Sequence, residues 1–228
     1  MLKKDLIRIL LVLSCVFMGC FITKAQNLLT INGEKRDQLV INPTWEHWLN
    51  VPENIDLVNY KNRGITLSCL VRLTTNEQNF GFATGVYFSS SNIFSDVGKW
   101  EFNEGEEVVS VVEDPDETYE KNKVSLNYLG VPVELQFKAN QNDEAFKCSL
   151  GLKGGFLIDA HTKLKDNNDD IFKEKHIDAF NNLQYGPYLR IGRGSIRFTG
   201  YYGIANVFDA DKAPDVARLS IGVGIIGL

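Results

Sequence analysis

The sequence offers little to a helical membrane protein, a disulfide scaffold or a nucleic-acid binder. A mostly apolar run, Ile9 to Ile22, falls short of the about 20 residues that a comfortable membrane helix needs. There are 4 cysteines, and two of them, Cys15 and Cys20, lie inside the first 25 residues. The remaining Cys69 and Cys148 sit on apolar faces of predicted strands that are not neighbours, so free thiols are expected rather than a bridge. Basic residues are outnumbered, with 24 Lys and Arg against 29 Asp and Glu. Losing residues 1–25 removes Lys3, Lys4, Arg8, Lys24 and Asp5, which leaves 20 against 28 and a net charge of −8. Such a chain is no partner for nucleic acid.

Those first residues read as a targeting segment. Lys3, Lys4 and Arg8 precede the apolar run, and Thr23-Lys24-Ala25 places small residues at −3 and −1. A secretory signal peptide over residues 1–25 is predicted, with cleavage after Ala25. An alternative is lipidation of Cys20, which follows Phe17-Met18-Gly19 but lacks the usual Leu at −3. Residues 26–38 are polar and aperiodic, a periplasmic lead-in to a domain spanning 39–228.

What that domain has in quantity is alternation. In Phe146 to Asp159, one parity carries Phe146, Cys148, Leu150, Leu152, Gly154, Phe156 and Ile158. The other carries Lys147, Ser149, Gly151, Lys153, Gly155, Leu157 and Asp159. A period of two is the mark of a β-strand, and this one is about twice the usual length. At about 3.3 Å per residue and a tilt of about 40°, Phe146 to Phe156 spans about 25 Å, the height of the apolar band of a membrane barrel. Phe146 and Phe156 are therefore predicted as aromatic residues at the two membrane interfaces.

The same pattern recurs seven times. A first strand, Leu39 to Trp48, has ambiguous phase, and Pro43 suggests an edge or a bulge. Further strands are predicted over 65–74, 80–89, 123–138, 183–191, 196–204 and 219–225. In the fourth, Val124, Leu126 and Tyr128 oppose the parity of Val131, Val133, Leu135 and Phe137, which suggests a bulge near Tyr128 to Gly130. Gly192-Arg193-Gly194-Ser195 reads as a tight turn. Residues 95–122 hold ten acidic residues and read as a long solvated loop with a small hairpin around Val108 to Val112. Residues 162–182 form a second charged loop.

Eight strands with connections alternating long and short predict an all-β fold: an eight-stranded antiparallel up-and-down transmembrane barrel, with long outer loops and short periplasmic turns. A soluble lipocalin-like periplasmic barrel shares the period, but its cavity is too small for so many Leu, Ile and Phe residues. The polar face, rich in glycine, suits a narrow lumen. Its charges, Glu46, Arg72, Glu134, Lys138, Lys147, Lys153, Asp159, Arg190, Arg197 and Arg218, are expected to pair into a plug.

Several stretches resemble the PorT-like family of outer-membrane β-barrel proteins. They are Trp45-Glu46-His47-Trp48-Leu49, Phe88-Ser89-Ser90-Ser91-Asn92, Tyr128-Leu129-Gly130-Val131-Pro132-Val133-Glu134-Leu135 and Gly154-Gly155-Phe156-Leu157-Ile158-Asp159-Ala160. Tyr201-Tyr202-Gly203 and Ser220-Ile221-Gly222-Val223-Gly224 fit the same pattern. The resemblance implies an outer-membrane barrel of a Gram-negative bacterium, inserted by the barrel-assembly machinery and surrounded by outer-membrane lipid. The member that names the family is linked to protein export.

No enzyme, cofactor or metal site is predicted. Asp159 and His161 share a face, but no nucleophile or second carboxylate is placed beside them. His47 and His176 stand apart from them in the chain. Asp114, Asp116 and Glu117 lack the spacing of a calcium loop. Gly151 to Gly155 is followed by no Lys-Ser/Thr and helix, so it is not a phosphate loop. The expected role is a structural or interaction module at the cell surface, with export or surface partners unnamed. The alternative is a barrel that transports or binds a small solute.

Overall fold

The computed structural model describes residues 37–51, 57–73, 79–95, 99–102, 109–112, 119–140, 142, 144–166, 171–175, 179–209 and 215–227. The predicted signal peptide, Cys20, residues 26–36 of the lead-in, the acidic trio Asp114, Asp116 and Glu117, and His176 lie outside them. Eleven strands are described: β1 (Asp37–Leu49), β2 (Arg63–Arg72), β3 (Phe80–Ser95), β4 (Lys99–Phe102), β5 (Val109–Val112), β6 (Tyr119–Lys138), β7 (Phe146–Asp166), β8 (Ile171–Lys175), β9 (Leu183–Arg193), β10 (Ile196–Tyr202) and β11 (Ala217–Gly227). Eight of them close a barrel in the order β6-β3-β2-β1-β11-β10-β9-β7, with β7 returning to β6 and every pair antiparallel. The fold is an eight-stranded antiparallel all-β barrel. The hairpin β4–β5 and the short β8, which pairs with the far end of β7, belong to the long connections.

Short connections and both ends of the barrel domain gather at one rim, the arrangement that marks the periplasmic side of such barrels. The two-residue turn after β9 shows why glycine stands there. Gly194 takes φ +58°, a left-handed conformation that favours a residue without Cβ.

The outward faces carry a belt of exposed large apolar side chains. Leu39, Ile41, Ile65, Leu67, Phe82, Val86, Val131, Val133, Leu150, Leu152, Ile191, Phe198, Ile221 and Val223 are among them. A belt this continuous on all eight strands exceeds the apolar patches that water-exposed surfaces tolerate, and it fits a hydrocarbon surround. Phe146 and Phe156 are 49% and 66% exposed on this outer face, at either end of the β7 span.

The strand phases differ from expectation in three places, each with a physical cause. Pro43 stands in a fully paired interior strand, opposite Ile65 of β2. It causes neither an edge nor a register shift, only a gap in the ladder toward β11 at residues 42 and 43. Odd positions of β1 face out, which resolves its phase. The bulge expected in β6 lies instead in β7, where Asn127 pairs with Asp159 but Tyr128 pairs with Leu157. Ile158 is the extra residue, so Ile158 and Asp159 both face outward.

The third difference explains the second. Val124, Leu126 and Tyr128 are buried and keep the same inward parity as Glu134 and Gln136. From Val124 to Gln136, β6 keeps one phase; the environment changes instead. Above the belt the outward face turns polar, with Ser90 and Asn92 on β3 and Lys123 and Asn127 on β6, while the interior turns apolar. Trp48, Ile93, Val124, Leu126, Tyr128, Ala160, Phe180, Val207, Phe208 and Val216 form this outer core. Phe208 meets Trp48 edge to face at 5.5 Å and stacks on Phe180 at 5.2 Å.

Candidate functional site

One register row winds round the inside of the barrel and positions the polar lumen. It passes through Glu46, Ser220, Tyr201, Tyr188, Gly151, Glu134, Ala83 and Arg72. It begins near the outer end of β1 and ends at the periplasmic end of β2, the stagger that closing eight tilted strands requires. Small residues, Ser220, Gly151 and Ala83, are interspersed among the large ones for a steric reason. A Cβ on Gly151 would lie 2.7 Å from Cε1 of Tyr188, so glycine makes the room for that ring.

Two buried carboxylates organise two clusters. Toward the outer side, Glu46 accepts from Arg218 Nε at 2.8 Å, from Ser220 Oγ at 2.7 Å and from Thr44 Oγ1 at 2.6 Å. Arg218 spends its remaining donors on Gln184 Oε1 at 2.8 Å and Ser89 Oγ at 3.2 Å. Gln184 in turn donates to Tyr87 Oη at 3.1 Å. Lower in the barrel, Glu134 pairs with Arg190 and accepts from Tyr188 Oη at 2.7 Å and from Gln136 Nε2 at 2.5 Å. Hydrogen-bonded partners of this kind are what burial of charge demands.

The remaining lumen cations have a different setting. Lys153 Nζ lies 3.9 Å from the centre of the Tyr201 ring and 5.3 Å from that of Tyr87. Arg197 is buried, and its Nε has no hydrogen-bond partner among the described residues. Arg72 is buried at the periplasmic end of β2. Lys138 and Lys147 pair across β6 and β7 at the same rim, half-buried. Between the two clusters is a cavity of about 40 Å³, lined on its polar side by Asn42, Thr66, Ser68, Lys153, Tyr188, Arg190 and Thr199.

Of the ten charges expected in the lumen, Glu46, Arg72, Glu134, Lys153, Arg190, Arg197 and Arg218 are buried inside it. Asp159 is not among them. The bulge at Ile158 turns it to the outer face, where it accepts from Asn127 Nδ2 at 2.9 Å and contacts His161 Nδ1 at 2.7 Å. With Asp159 outside, two buried carboxylates face five buried cations among the described residues. Among the described residues, buried cations therefore outnumber buried carboxylates. The neutral partners Thr44, Tyr87, Ser89, Gln136, Gln184, Tyr188 and Ser220 escape a reading of the sequence that follows charge alone, although their inward parity beside the charges is the available signal.

Comparison with known proteins supplies the family. The Outer membrane protein beta-barrel domain matches residues 29–209. No curated protein matches the chain significantly. Among solved structures, the chain is similar to the attachment invasion locus protein Ail of Yersinia pestis, with 13% identity and a TM-score of 0.39, covering 85% of this chain and 100% of that one. It is also similar to Neisserial surface protein A, with 8% identity and a TM-score of 0.38 over 83% and 95% of the two chains. A major outer membrane protein from Thermus thermophilus matches at 8% identity and a TM-score of 0.35, over 85% and 100%. With the strand order, the apolar belt and a family match across most of its length, the chain is an integral outer-membrane β-barrel and belongs to the family defined by the outer membrane protein beta-barrel domain.

Proposed function

We propose that the protein is a closed, non-conducting barrel that presents its outer strands and loops to protein partners at the surface of a Gram-negative cell. The observation that carries this reading is the filled interior. Phe208 packs on both Trp48 and Phe180 inside the outer end, and below them Arg218 of β11 reaches Ser89 on β3 and Gln184 on β9, while Glu134 of β6 pairs with Arg190 of β9. A pore needs a continuous aqueous path, whereas an eight-stranded barrel is just wide enough for side chains to fill. Beyond the belt, β3, β6 and β7 continue as strands, and β8 adds to that sheet. Such an extended edge is a natural platform for a partner.

In this reading residues 1–25 direct secretion, the barrel-assembly machinery inserts the domain, and the mature chain has no enzymatic role. The Asp159–His161 contact lies on the outer face beside Asn127, not in a cleft, and a surface pair accounts for it. The resemblance to PorT-like barrels favours an accessory role in protein export. The test compares a full gene deletion with a barrel whose residues 96–118 and 167–178 are replaced by short turns, by profiling the proteins at the cell surface. The reading expects both strains to lose the same proteins. A trimmed barrel that restores the complete surface profile would remove the loops and their partners from the account.

A further inference from the structure

We propose that the lumen holds a small inorganic anion of halide size, seated in the cavity between Lys153 and Arg190. Lys153 is 9% exposed, and among the described residues its ammonium makes no hydrogen bond or ion pair, only contacts with the faces of Tyr201 and Tyr87. Ring faces offset part of a buried charge, but they leave three N–H donors without acceptors. Neither buried carboxylate is open to it. Glu46 is held by Arg218, Ser220 and Thr44, and Glu134 by Arg190, Tyr188 and Gln136.

Arg190 supplies the second half of the site. Its Nη2 serves Glu134, while its buried Nε has no partner among the described residues. Lys153 and Arg190 line the same cavity of about 40 Å³, together with Thr66, Ser68 and Thr199, the last of which donates its hydroxyl to Asn42 Oδ1 at 2.9 Å. By the volume a water needs, this space takes about three waters. A halide with a water or two fits, whereas a sugar or a nucleotide does not. Water alone would satisfy the donors, but it would leave the buried ammonium of Lys153 without a paired counter-ion. An anion does both.

The test uses the full-length barrel in detergent, with bromide and chloride as probes. Crystals soaked in sodium bromide are expected to show an anomalous peak inside the barrel within hydrogen-bonding reach of Lys153 Nζ. In solution, the unfolding midpoint is expected to be about 3 to 6 °C higher in sodium chloride at ten times its dissociation constant than in sodium gluconate of equal ionic strength, since gluconate is too large to enter. Lys153→Met is expected to abolish that difference. Bromide peaks confined to surface lysines, meaning an adventitious ion only, would overturn the proposal. So would equal midpoints in the two salts, or a chloride effect that persists in Lys153→Met. Should that variant fail to fold, the wild-type anomalous map decides alone.

Discussion

Arg218 on β11 and Glu46 on β1 join the last strand of the barrel to the first, at 2.8 Å from Nε to Oε2. Both are almost completely buried, so the strands that close the barrel are joined by a desolvated ion pair as well as by their ladder. Removing one partner leaves the other charge buried and unpaired. Glu46→Gln is expected to destabilise the protein by about 3 to 5 kcal/mol, whereas Glu46→Leu combined with Arg218→Met costs far less. Urea titration of both variants in detergent measures the difference. Equal losses for the single and the double variant would contradict the pairing.

The faces of β7 make a second prediction. Leu152 is 63% exposed within the apolar belt, so Leu152→Arg is expected to cost about 2 to 4 kcal/mol in a lipid bilayer. Asp159, seven positions on, is turned to the outer face by the bulge at Ile158 and meets the polar Asn127 and His161 there. Asp159→Lys should change stability by less than about 0.5 kcal/mol. Folding titrations into lipid vesicles check both. A harmless Leu152→Arg would reverse the assignment of faces.

Glycine in the lumen is a packing device with a testable site. Gly151→Val would drive its side chain into the Tyr188 ring and away from the Tyr188–Glu134 hydrogen bond, with a cost of about 1 to 3 kcal/mol. At Gly200, on the outer face of β10, a Cβ would meet nothing within 4 Å, so Gly200→Ala should be tolerated. Thermal unfolding of the two variants provides the comparison.

Cys69 and Cys148 are free, and their strands β2 and β7 are not neighbours. Both lie on outward positions of the belt. In proteoliposomes, a membrane-soluble maleimide is expected to label both thiols, while a charged thiol reagent labels neither. Rapid labelling by the charged reagent would place these strands outside the hydrocarbon.

Much of the architecture is legible in residue order because a period of two survives any local detail. Strand number, the alternation of long and short connections and most inward charges follow from it. What escapes has one physical root. Alternation names two faces without naming their surroundings, and those surroundings exchange character along the strand. In β6, Val124, Leu126 and Tyr128 face inward into an apolar core, whereas Val131 and Val133 face outward into lipid. That exchange mimics a change of phase and so suggests a bulge in the wrong strand. The true bulge, at Ile158, inserts an apolar residue next to Gly155-Phe156-Leu157 and gives no compositional sign. Asp159 consequently leaves the lumen for the outer face.

Single-channel recording in planar bilayers tests the closed lumen most directly. Purified protein reconstituted at neutral pH is expected to give a flat baseline, because Trp48, Phe180 and Phe208 fill the outer end, and the Arg218 contacts with Ser89 and Gln184 and the Glu134–Arg190 pair cross the middle. Reproducible, ohmic current steps from the wild-type protein would contradict the account.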